Sequence, residues 1–173
     1  MNASGSNRVL LGNRPWMRND PSGRRDRVLA AVEIPALGIW VGALAGFAFV
    51  SAPAAFRVVA PLDVNRFAAL IAASLTVLTA WGYVLGGLAI AAAVLRAVFA
   101  GDRVWDFVRV LLVALALGLA TYEQHAIVPA MTATTDVHSA AYHDLHGRST
   151  EVYGAVVLLA LVTLVLAAVR RDD

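Results

Sequence analysis

The fold class is decided by residues 28–50, VLAAVEIPALGIWVGALAGFAFV, in which Glu33 is the only charged residue. A helix needs about 20 mainly apolar residues to cross a hydrocarbon core about 30 Å thick, and this stretch is long enough. Three more such stretches follow, at about residues 67–95, 110–131 and 152–169. We therefore predict an all-α, polytopic membrane four-helix bundle over residues 28–173, with the lipid bilayer as its surroundings.

The composition of the whole chain agrees with that fold and narrows the function. The 173 residues are 60% hydrophobic and 15% charged, whereas soluble domains have about 25% charged residues. The chain has no cysteine, which excludes disulfides, thiolate metal sites and iron–sulfur clusters. All 14 basic side chains are arginine, so Schiff-base chemistry through lysine is excluded. No Gly-rich phosphate loop or Gly-x-Ser-x-Gly elbow is present, and an enzymatic function therefore has little support.

An arginine-rich segment, residues 1–27, precedes the first span and is predicted to be a disordered cytoplasmic tail, because it has little apolar periodicity. Together with Ser51-Ala52-Pro53-Ala54, this leader resembles a signal peptide. The apolar stretch is longer than the roughly 7 to 15 residues of a signal peptide, however, and a proline follows the candidate cleavage site. We expect the stretch to be retained as a span.

The arginines are distributed unevenly over the two sides of the membrane. The first and third loops hold only Arg57, Arg66 and Arg148, and all the other arginines lie in the tail, the second loop and the C-terminus. By the positive-inside rule we predict that both termini are cytoplasmic, in a bacterial inner membrane. The basic charge is thus a signal of topology. No folded module or interleaved aromatic residues support nucleic-acid binding, so no nucleic-acid partner is expected.

Glycines recur at intervals of four in the first two spans. Such spacing places them on one helix face, where small residues let two helices pack closely in lipid. We expect the two glycine faces to meet each other or a partner copy, in a homo-oligomer or a larger membrane complex. A pore lining or a flat cofactor is the alternative. The glycines are Gly38, Gly42 and Gly46 in the first span and Gly82 and Gly86 in the second.

All four histidines lie in the last third of the chain, at the predicted extracytoplasmic end: His125, His138, His143 and His146. Two or three imidazoles with a carboxylate could bind Cu(II) or Zn(II), and a facing pair could ligate haem iron. Histidines in an outer loop are also often simply solvated, and one within a span can join helices by a hydrogen bond.

Two acidic residues lie within or beside the predicted spans. Glu33 is expected to pair with Arg27 or an arginine of the second loop, although an acid within a span is also a candidate proton or cation relay. Glu123 is expected to balance charge near the histidines, with Arg57, Arg66 or Arg148 as partners. Asp144 and Arg148 are four residues apart and could form an ordinary helix pair.

Three segments together resemble a known family. Residues 39–56 contain Trp40-x-Gly42 and end in Ala52-Pro53-x-x-Phe56, residues 121–131 contain Tyr, Pro and Met, and residues 145–150 contain Leu-His-x-x-Ser. In this order they resemble the domain-of-unknown-function 4149 family, which is shared with the transmembrane protein 205-like proteins. The chain is more distantly similar to copper-resistance protein D-like membrane proteins. The resemblance covers about residues 29–169 and implies four membrane helices, with no settled activity.

Three functions are compatible with these observations. The first is an integral membrane protein of the transmembrane protein 205-like type that binds or passes a transition metal through the histidines. The second is an accessory or structural subunit of a larger membrane complex. The third is a haem-binding membrane redox protein, which the similarity to copper-resistance protein D-like proteins also implies.

Overall fold

The computed structural model describes residues 21–99, 103–134, 136 and 138–169. Every regular element in these residues is helical, and four helices are long and apolar enough to cross a membrane. The prediction of an all-α four-helix membrane bundle is therefore confirmed. The elements are α1 Pro21–Gly46, a π-helical turn Phe47–Ser51, α2 Ala52–Val58, α3 Val64–Phe99, α4 Arg103–Tyr122, a π-helical turn Glu123–Ile127, α5 Val128–Ala133 and α6 Ala140–Val169.

The spans are longer than their apolar stretches. α3 has 36 residues, which corresponds to about 54 Å. α1 begins at Pro21, so residues 21–27 are helical although we predicted them as part of a disordered tail. Proline suits the first turn of a helix because the N–H it lacks has no intrahelical partner there. Residues 1–20 of that predicted tail lie outside the described residues.

Two polar side chains set helix starts that hydropathy does not show. Asp63 Oδ1 accepts the backbone N–H groups of Asn65 and Arg66, each at 3.0 Å, and so caps α3. Ser139 Oγ accepts the N–H of Tyr142 at 3.2 Å and caps α6. α6 therefore begins at Ala140, well before the predicted residue 152, because a capped polar segment continues the apolar helix toward the N-terminus.

The four spans form a ring in which α1 and α4 each pack against both α3 and α6. α1 thus lies diagonally opposite α4. We call the end where α1 begins and α6 ends the termini end. We call the opposite end, with the α2–α3 and α5–α6 connections, the distal end.

The middle of the bundle is closed by Trp40, which is 2% exposed. A Cβ atom added to Gly82 would lie 3.0 Å from Trp40 Nε1, and one added to Gly86 would lie 3.1 Å from Leu117 Cδ1. Glycine at these two positions therefore makes room for large side chains of α1 and α4. Because a bilayer provides little hydrophobic drive between helices, such close packing matters more here than in water.

The glycines of α1 do not take part in this packing. A Cβ atom added to Gly38, Gly42 or Gly46 would meet no heavy atom of the described residues within 4 Å. The two glycine faces therefore do not meet each other, because Trp40 of α1 already occupies the space above Gly82. Their contact with a partner copy remains a proposal.

The termini end is held by four buried charges that we call the charge cluster: Glu33, Arg96, Asp106 and Arg109. Arg96 Nη2 lies 2.6 Å from Glu33 Oε2, and Arg109 Nη1 lies 3.3 Å from the same oxygen. Asp106 Oδ1 lies 3.6 Å from Arg96 Nη1 and also binds Arg109 Nη2. The exposed fractions of the side chains are 12% for Arg96 and at most 2% for the other three. Two carboxylates thus balance two guanidinium groups across α1, α3 and α4.

The glycine positions make a first prediction. Gly82→Leu should lower the free energy of unfolding by about 1–3 kcal/mol, because the added side chain collides with the Trp40 ring. Gly42→Leu should leave the free energy of unfolding nearly unchanged in the monomer, because a Cβ atom there meets no heavy atom of the described residues within 4 Å. Unfolding in mixed micelles titrated with sodium dodecyl sulfate measures both, and equal losses would contradict the packing described.

The charge cluster makes a second prediction. Glu33→Gln keeps the shape of the side chain but leaves two buried guanidinium groups with one carboxylate, so it should cost about 3–5 kcal/mol of unfolding free energy. The matched control is Asp144→Asn, which breaks the exposed pair between Asp144 Oδ2 and Arg148 Nη2, 2.9 Å apart, and should cost less than about 1 kcal/mol. The same titration compares them. A loss for Glu33→Gln no larger than for the control would show that the cluster does not hold the bundle.

Candidate functional site

The first and third spans each contain a π-helical turn whose first residue lies six positions before a proline. The turn Phe47–Ser51 precedes Pro53, and the turn Glu123–Ile127 precedes Pro129. In each, the residue after the turn donates its N–H five residues back, from Ala52 to Phe47 O and from Val128 to Glu123 O. A helical proline lacks an N–H and clashes with the carbonyl four residues earlier, and one wider turn relieves both problems.

The helices continue past both prolines, as α2 and α5, so Pro53 and Pro129 mark wide turns within helices. The turns position Phe47 and Glu123, their first residues, beside the space between the spans. Gln124, the next residue of the second turn, donates Nε2 to Thr76 Oγ1 at 2.8 Å and so ties this turn to α3.

A cavity of about 560 Å³ lies at the distal end and is lined by residues of all four spans. Most of its surface is apolar, and five aromatic side chains contribute to it: Phe47, Phe56, Phe67, Tyr142 and Tyr153. Its polar and charged lining residues are Arg57, Glu123, Thr132, His146, Ser149 and Thr150.

Glu123 is the buried acidic residue of this cavity. Its side chain is 5% exposed, and Ser149 Oγ donates to Glu123 Oε1 at 2.6 Å. Ser149 belongs to α6, so this hydrogen bond joins the third span to the fourth. Within the described part of the chain, no arginine lies within ion-pair distance of Glu123.

None of the three arginines expected to pair with Glu123 forms an ion pair with it in the part of the chain that the structure describes. Arg148 Nη2 pairs with Asp144 Oδ2, and Arg66 Nε pairs with Asp63 Oδ2 at 3.2 Å. Arg57 lines the cavity but is exposed. Arg148 precedes Ser149 by one residue, which turns it about 100° around the helix and away from Glu123.

Tyr153 forms the inner part of the cavity wall, one helical turn from Ser149. Its hydroxyl donates to Leu44 O at 2.8 Å, and its ring lies 5.9 Å from that of Phe47, measured between centroids. Between this wall and Trp40 the described residues enclose a void of about 10 Å³, which Glu123 and Gly82 also line. The cavity therefore ends at the packed middle of the bundle.

The structure places the four histidines differently from one another. His146 lines the cavity and stacks on Tyr142, with the rings 6.3 Å apart and 7° from parallel. His143 approaches the same tyrosine edge-on at 6.4 Å. His125, in the second π-helical turn, and His138, before α6, are exposed. Nowhere in the described residues do three or more side chains among His, Cys, Asp and Glu converge to hold a metal ion.

The sequence expectations missed Phe47, Ser149 and Tyr153. Two signals point to them in hindsight. Pro53 and Pro129 occur at equivalent depths of two spans, which indicates paired irregular turns. Ser149 and Tyr153 are four residues apart and share a helix face, but only once α6 is known to begin at Ala140.

A family model described as domain of unknown function DUF4149 matches residues 36–140. The match includes Phe47 and Glu123 of the cavity and Arg96, Asp106 and Arg109 of the charge cluster. It ends where α6 begins, so the segment 145–150 that resembled the family lies outside it. No curated protein and no solved structure matches the chain.

Proposed function

The chain belongs to the DUF4149 family, and from its cavity we propose that it is an integral membrane binding protein for a small amphipathic molecule. The cavity of about 560 Å³ carries this proposal. Pockets for small ligands have volumes of about 300–1,000 Å³, with mainly apolar walls and a few polar groups that orient the ligand. Aromatic walls with Glu123 and Ser149 on one side fit that description.

The packing between the cavity and the termini end favours binding of a ligand in the cavity over its passage across the membrane. Trp40 closes the bundle next to Gly82, and the charge cluster ties the termini end together beyond it. A molecule in the cavity is therefore held at the distal end. Passage across the membrane would require the middle of the bundle to open.

The arginine distribution suggests which side of the membrane the cavity faces. The exposed Arg24, Arg25 and Arg27 of α1 lie at the termini end together with the charge cluster. By the positive-inside rule we propose that this end is cytoplasmic, in a bacterial inner membrane, and that the ligand enters from the extracytoplasmic side.

The metal and haem hypotheses find less support in the arrangement. His146 is the only histidine among the residues that line the cavity, whereas haem ligation by two imidazoles needs a facing pair and a metal site needs several ligands. A role as an accessory subunit has a different basis, the uncovered glycines of α1. It would require a partner there and would leave the cavity without a function.

Filling the cavity gives a third prediction. Ala68 lines the cavity, whereas its neighbour Ala69 is exposed and does not. Ala68→Phe should weaken binding of tritiated 4-phenylbutanol at least tenfold, because the new ring occupies the site. Ala69→Phe should change it less than twofold. Scintillation proximity with the protein in lipid nanodiscs measures both, after empty-nanodisc uptake is subtracted.

The proposal of a ligand cavity fails if the wild-type protein takes up no 4-phenylbutanol above empty nanodiscs. It also fails if the two substitutions act alike. Binding of Zn(II) or Cu(II) to the same samples tests the metal hypothesis. If that hypothesis is correct, His146→Ala should weaken the binding of the metal ion.

The orientation gives a fourth prediction, and the absence of cysteine makes it simple to test. His138→Cys should react with a membrane-impermeant maleimide in intact spheroplasts, because His138 is exposed at the distal end. Ser6→Cys, in the arginine-rich tail, should react only after lysis. The reverse pattern would place the cavity on the cytoplasmic side.

A further inference from the structure

Resting on the proposed function, we propose that the ligand of the cavity is a monovalent organic cation, with an ammonium group that pairs with Glu123 and an apolar body that packs against the aromatic walls. The carboxyl groups at the two ends of the bundle have different partners.

The buried carboxyl groups at the termini end have ion-pair partners, and the one at the distal end has a hydroxyl partner. At the termini end, Glu33 and Asp106 each lie within ion-pair distance of two guanidinium groups. At the distal end, Glu123 is 5% exposed and has Ser149 as its hydrogen-bond donor, with no ion pair among the residues that the structure describes. A buried carboxylate without a cation is costly in a membrane. A cationic ligand would supply the missing partner.

The geometry leaves room for that partner. A carboxylate has about four acceptor positions over its two oxygens, and Ser149 uses one, on Oε1. Glu123 also lines the cavity, so an ammonium group there can reach the carboxylate.

The walls suit the rest of such a molecule. Phe47 and Tyr153 form one aromatic pair of the lining, and Phe56 and Phe67 form a second pair with centroids 5.6 Å apart. Aromatic faces attract ammonium groups and also pack against apolar carbon, and the attraction grows when water is excluded.

The remaining charged or titratable groups of the lining limit the ligand to one charge. Arg57 lies ten residues beyond Phe47, about 15 Å further toward the distal end, and His146 lies one turn outward from Ser149; both are exposed. The guanidinium of Arg57 would repel a second positive charge at the outer part of the ligand. A divalent metal would in addition need several ligands, which the described residues do not bring together.

The test compares two probes of nearly equal shape, 4-phenylbutylamine and neutral 4-phenylbutanol, in nanodiscs of phosphatidylglycerol, a lipid without an amine. Glu123→Gln should weaken binding of the amine at least tenfold and change binding of the alcohol less than twofold. The control Glu151→Gln removes an exposed carboxylate of α6 and should change neither. Amine binding that survives Glu123→Gln would overturn the inference.

Competition on the wild-type protein avoids any effect of substitution on folding. The quaternary cation 4-phenylbutyltrimethylammonium should displace tritiated 4-phenylbutylamine, and the anion 4-phenylbutyrate should not. Equal displacement by both would overturn the cation inference while leaving the cavity proposal intact. If the neutral alcohol does not bind to the wild-type protein, the proposed function fails as well.

Discussion

The buried charge cluster is the interaction on which the rest of the bundle depends. Helices in a bilayer gain little from burying apolar surface against each other, so polar contacts and close packing have to hold them. Glu33 and Arg109 join the diagonal pair α1 and α4, and Arg96 brings in α3. The four formal charges cancel, so the loss of any one member leaves a net charge in the cluster, and this balance requires three spans to approach each other at the termini end.

The distal end lacks such a cluster and is shaped by two prolines. Pro53 and Pro129 each cause a π-helical turn, and these turns widen the bundle on two diagonally opposite spans. The wide turns position Phe47 and Glu123 at the cavity, where α6 meets them with Ser149 and Tyr153. A tight neutral end and an open end with one unbalanced carboxylate therefore belong to the same bundle, and that asymmetry is the basis of the proposed function.

Features that depend on position along the chain could be predicted from sequence, whereas features that depend on the rotation of a helix could not. The four spans were predictable because the length of each apolar stretch can be read directly from the sequence. Glu33 was expected to pair with Arg27 or an arginine of the second loop, because these groups lie at one end of the bundle. Which arginines it contacts, Arg96 and Arg109, depended on helix rotation. Rotation also explains why Arg148 does not reach Glu123 and why a Cβ atom added to Gly42 would meet no heavy atom of the described residues within 4 Å. The apolar pattern alone does not show where α6 begins, because Ser139 caps a polar segment that hydropathy does not mark as helical.

The central claim is that Glu123 binds a cation within an aromatic cavity, and the most direct measurement is an experimental structure of the protein in nanodiscs with 4-phenylbutylamine bound. The account predicts the ammonium nitrogen at about 2.7–2.9 Å from a Glu123 carboxylate oxygen, with the phenyl ring against the aromatic walls. A cavity filled by a lipid acyl chain or by repacked side chains, with Glu123 bonded only to Ser149, would contradict it.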